Sequence, residues 1–123
     1  MSVRTITIKL KQFHGSSMIY KHLYPGKSPL LMSEGIKYVR DSLNAFWLLD
    51  SLLIYQSHKA LRDVKFQVWE LNQSQKDLTW NLSCRSDTGT KPLISESIKY
   101  SDFALSSIKI WIIDGTVILP SEY

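Results

Sequence analysis

The chain has 123 residues, 44% of them hydrophobic and 21% charged, with a formal net charge of +4. That balance belongs to a globular protein with apolar matter for one core, so disorder is excluded and residues 1–123 read as a single domain. The longest greasy stretch, Ala45 to Tyr55, contains Asp50 and Ser51 and falls well short of the roughly 20 apolar residues that cross a bilayer, so no membrane is expected.

Thr5 to Phe13 alternates, with Ile6, Ile8 and Leu10 on one face and Thr5, Thr7, Lys9 and Lys11 on the other. That is the period of a half-buried strand, with a short helix over Ile8 to Phe13 as the competing reading. The stretch lacks the apolar core and cleavage site of a secretory signal. Residues 14–17 form a turn, Met18 to Tyr24 a short extended segment, and Pro25 to Pro29 a loop. Ser33 then caps a helix with Glu34 in its first turn. Ile36, Val39, Leu43, Phe46 and Leu53 form its apolar stripe, and Asn44 marks a break into two helices.

Strands follow. Val64 to Leu71 places Val64, Phe66 and Val68 on one face and Lys65, Gln67, Trp69 and Leu71 on the other. Leu78 to Cys84 turns Leu78, Trp80, Leu82 and Cys84 inward. Ser95 to Leu105 is a strand followed by a turn near Asp102. Ser107 to Ile113 and Thr116 to Leu119 are joined by the hairpin signal Asp114-Gly115. The expected fold is α+β: an antiparallel sheet of about four to six strands packed on one central helix or broken helix.

Asp50 interrupts the helical stripe between Phe46 and Leu53. A carboxylate there is either a desolvated functional acid or a buried acceptor satisfied by hydrogen bonds; the second is the expectation, because no partner base stands at a fixed spacing. Asp102 is a second candidate buried polar residue, expected to form a turn that docks Phe103. His14 and His22 lack a paired acid or cysteine in the sequence, and a surface role is expected for both. One cysteine, Cys84, and three scattered histidines give no zinc spacing, no disulfide and no cofactor motif, which fits a reducing, cytoplasmic setting. Cys84 itself reads as a buried hydrophobe.

The charge is lopsided. Residues 1–33 carry Arg4, Lys9, Lys11, Lys21 and Lys27 and no Asp or Glu, so the whole basic excess lies there. These five residues are the candidate nucleic-acid contacts. Trp69, Leu71, Trp111 and Ile113 are assigned to a second, apolar sheet face, too apolar to remain wet and therefore a candidate interface between copies of the chain. The segment Leu119 to Tyr123 reads equally as a free tail or as one folded back on the domain.

Several motifs occur in order: Glu34-Gly35 before a helix, Trp47-Leu48-Leu49-Asp50, Phe66 to Trp69, Ser101-Asp102-Phe103, and Leu119 to Tyr123. In these the chain resembles a family of small uncharacterised bacterial and phage proteins, catalogued only as a domain of unknown function. The resemblance runs from about His14 to the C-terminal residue. It implies a non-secreted protein on mobile or phage-derived DNA, and no activity. Three functional readings follow, in this order: a binding or accessory protein acting through protein–protein contact, with itself or another chain; a nucleic-acid-binding protein using residues 1–33; and a small hydrolase-like enzyme using Asp50 or Asp102.

Overall fold

The first alternating stretch folds as a helix, α1 (Val3–Lys11), not as the expected strand. A spacing of four residues belongs to both periods, and burial decides between them. Ile6 is buried and Leu10 packs against the core, while Lys9 and Lys11 sit in the last turn, where cations suit the helix dipole. The structure, a computed structural model, describes residues 3–12 and 18–123. The expected turn at 14–17 and His14 lie outside them.

Two three-residue strands come next, β1 (Tyr20–His22) and β2 (Leu30–Met32), joined across the Pro25–Pro29 loop. Ser33 then caps α2 (Glu34–Ser42), its side chain accepting from Ile36 N. Asn44, at φ 57°, breaks the helical region as its sequence suggests. Asparagine tolerates this left-handed conformation better than most residues. Beyond it runs α3 (Phe46–Tyr55). The long strands are β3 (Phe66–Gln73), β4 (Trp80–Ser86), β5 (Ile94–Ile98) and β6 (Ser107–Ile113). Asp114 and Gly115, both at positive φ, turn the chain into β7 (Thr116–Ile118), as a primed hairpin turn requires. Leu78, expected to point inward, is instead exposed at φ 61° in the β3–β4 turn.

The sheet corrects the expected architecture. Among the described residues it has seven strands, not four to six, in the order β1-β2-β7-β6-β3-β4-β5, and it is mixed, since β2 pairs with β7 in parallel. Three short helices accompany it rather than one central or broken helix. The cause is local: strands of three residues carry too few positions to show a period, and a parallel pair formed by distant segments leaves no turn signal.

Register assigns the faces. α3 lies against β3: the rings of Tyr55 and Trp69 stand 5.6 Å apart, and the Gln56 and Gln67 amides bond reciprocally at 3.0 and 2.8 Å. Residues paired with that row share its face, so Leu71, Cys84, Leu82, Ile110 and Ile112 join Trp69 in the core. All are fully or almost fully buried. Among the described residues no helix is long and apolar enough to cross a membrane.

Candidate functional site

Asp50 meets a histidine. His22, on β1, is 1% exposed, and its Nε2 lies 2.7 Å from Asp50 Oδ1. Its other ring nitrogen, Nδ1, lies 3.2 Å from Arg40 Nη1. A guanidinium only donates, so Nδ1 must accept and Nε2–H must donate to the carboxylate. The imidazole therefore bridges Arg40 and Asp50. Arg40 is fixed further by Asp41 at 2.8 Å and lies 4.5 Å over the Phe46 ring. Burial alone would raise the Asp41 carboxyl, but hydrogen bonds and charge from Arg40 and Lys37 outweigh it and hold the group below its ordinary value. Both nitrogens of His22 are engaged, which leaves none to take a proton from a substrate. Asp50 is an acceptor as expected but is not buried: its side chain is 39% exposed.

Asp102 is also exposed. The turn there is made by the preceding residue, whose Ser101 Oγ accepts from Phe103 N at 3.1 Å. Phe103 does dock, edge-on to Trp80. Among the described residues the buried polar ones are instead His22, Ser33, Gln67 and Glu122.

Glu122 accounts for two of the sequence motifs at once. The turn after β7 carries its carboxylate to the N-terminus of α2. There Ser33 Oγ donates at 2.5 Å and Leu119 N at 2.9 Å to one oxygen, and Gly35 N donates at 3.1 Å to the other. An anion belongs at the positive end of a helix. Gly35 is required because a Cβ there would lie 2.7 Å from the Glu122 oxygen and 2.7 Å from a Leu119 methyl. The segment Leu119 to Tyr123 is thus folded back, and the Glu34-Gly35 and Leu119–Tyr123 motifs are two halves of one packing unit.

The sheet face away from the helices carries a half-buried cluster of aromatic and aliphatic side chains, Phe66, Trp111, Ile113 and Ile118. Val68 pairs with Trp111, Phe66 with Ile113, and Trp111 with Ile118. Tyr123, 80% exposed, packs its ring on this row, 5.5 Å from Trp111 and 6.1 Å from Phe66. The Trp111 indole N–H is buried with no acceptor among the described residues. Beside the aromatic cluster Glu70 lies between two cations, 3.7 Å from Arg85 and 3.9 Å from Lys109. Toward β5 the same face turns polar, with Asn81 bonded to Ser95. Of the four expected interface residues, Trp111 and Ile113 lie on this face, while Trp69 and Leu71 lie on the helix-covered one. The sequence shows alternation but not which member of each strand's two rows faces the helices.

The five basic candidates do not share a face. Arg4, Lys9 and Lys11 are on α1, with Lys9 over the Tyr38 ring of α2. Lys21 pairs with Leu31 on the uncovered side. Lys27 reaches Ser57 beyond α3. Among the described residues no three His, Cys, Asp or Glu side chains gather as a metal site.

The model of a family described as of unknown function (DUF6876) matches residues 4–123. No curated protein and no solved structure matches the chain.

Proposed function

The chain belongs to the family of unknown function DUF6876, and we propose that it is a binding protein acting by protein–protein contact through the uncovered end of its sheet, with a second copy of itself as partner. The observation that carries this is the cluster of Phe66, Trp111 and Tyr123 rings on a face that no described helix covers. Exposed Tyr123 and half-buried Phe66 and Trp111, beside half-buried Ile113 and Ile118, favour further burial against a partner. The patch carries both signs of charge, Glu70 next to Arg85 and Lys109. A two-fold contact presents one surface to itself, so both signs on that surface make it self-complementary. An intracellular setting, fitting the single reduced Cys84, and a phage or mobile-element context, implied by the resemblance, belong to this reading.

An enzyme reading is disfavoured by the double engagement of His22, and a nucleic-acid reading by the dispersal of the basic residues. Sedimentation velocity over a concentration series tests the proposal. The expected result is a dimer that Ile113→Asp or Ile118→Asp weakens about 30-fold, or about 2 kcal/mol, with circular dichroism unchanged. A chain that stays monomeric at all concentrations, or a dimer indifferent to both substitutions, overturns it.

A further inference from the structure

A groove of about 440 Å³ opens between α1, the start of β6 and the turn after β7. Its apolar lining includes Leu10, Leu105, Ile108 and Leu119, with Val3 and Pro120 beside them. Lys11 and Lys109 stand among the lining residues with serine hydroxyls, and no acidic residue does. Two carboxylates lie nearby but are spoken for. Glu122 is turned away into the α2 N-terminus, and Glu70 lies 3.9 Å from Lys109. Lys11 is exposed at the end of α1 and makes no ion pair among the described residues.

The volume is in the range of small-molecule sites, roughly 300–1,000 Å³. The lining narrows the class of ligand. Among the described residues no aromatic side chain lines the groove, so they offer a base or ring nothing to stack on. Aliphatic walls instead suit a flexible hydrocarbon chain, at about 0.8 kcal/mol per buried methylene. A lysine without a counter-charge suits an anionic head. We propose that this groove binds a single-chain amphiphile with an anionic head group, the alkyl chain along Leu10, Leu105 and Leu119 and the head at Lys11. The groove shares Lys109 with the charged rim of the sheet patch, but its apolar walls and Lys11 lie apart from the aromatic cluster, and the proposal does not rest on the self-association reading.

The probe is dodecanoate below its aggregation concentration, titrated into the ¹⁵N-labelled full-length chain. Amide shifts confined to α1, Leu105 to Lys109 and Leu119 to Ser121 are the expected result. Binding should fall about tenfold or more in Lys11→Glu, where attraction becomes repulsion. It should also be blocked by Ser106→Trp, which fills the groove from its exposed rim. Both positions are exposed, so both variants should fold, with wild-type spectra in the absence of the probe. Dodecylammonium tests the charge and acetate tests the head alone; neither should bind. Absence of dodecanoate binding, equal binding of dodecylammonium, or affinity unchanged in both variants overturns the proposal.

Discussion

Gly35→Ala is a substitution whose sign exposes the packing unit at the start of α2. In an ordinary exposed helix, alanine in place of glycine stabilises by up to about 1 kcal/mol. Here the new methyl would stand 2.7 Å from a Glu122 oxygen and 2.7 Å from a Leu119 methyl. Both are ends of side chains, and the leucine can rotate. The carboxylate cannot move cheaply, because Ser33, Leu119 and Gly35 all donate to it. Displacing it strands buried donors at about 1–3 kcal/mol, and forced overpacking has a similar cost. Set against the helix gain, the expected net loss is about 2 kcal/mol. Urea unfolding followed by tryptophan fluorescence measures it. Glu122→Ala removes the obstructing oxygen, so adding Gly35→Ala to that background should cost at least about 1 kcal/mol less than in the wild type, a coupling that a double-mutant cycle reads directly. If Gly35→Ala is neutral or stabilising in the wild-type background, the reasoning fails.

Two further outcomes follow from the buried groups. Asp50→Asn keeps an oxygen for the His22 N–H and should change stability by less than about 1 kcal/mol, whereas His22→Ala opens a buried space beside Arg40 and should cost about 3 kcal/mol; equal losses in urea titrations would refute this account of the pair. Burial pushes the Cys84 thiol up to about 12. The folded chain therefore favours the thiol, and this contribution to stability is present below the ordinary value of 9.0 and is lost as pH rises toward about 12. An aromatic disulfide reagent at pH 8 should leave the native chain unlabelled and label it in denaturant; fast native labelling would contradict the burial.

Much of the local structure was legible because its causes are local. Ser33 has a hydroxyl at the position where a helix needs an acceptor, Asn44 tolerates left-handed backbone, and Asp114-Gly115 fits a primed turn. Trp80, Leu82 and Cys84 alternate cleanly and are buried. The candidate site was legible only in part. Apolar residues in both rows of the strands point to an interface, but alternation alone does not show that Trp69 and Leu71 lie in the buried row. Alternation separates two rows of side chains, and only the seating of Tyr55 on Trp69 decides which row is covered. Asp50 was found by its misplaced charge. Its partner His22, 28 residues away, carried no such signal.

Where the chain bends, caps and alternates follows from local sequence, since each rests on a few neighbouring residues and their backbone preferences. Tertiary structure alone decided that α1 is a helix, where four-residue spacing satisfies both periods and burial of Ile6 breaks the tie. It alone made the parallel pairing of β2 with β7, and it alone brought Glu122 to Ser33 across 89 residues. Such contacts depend on free energies of burial and pairing between distant segments, to which no local pattern is sensitive.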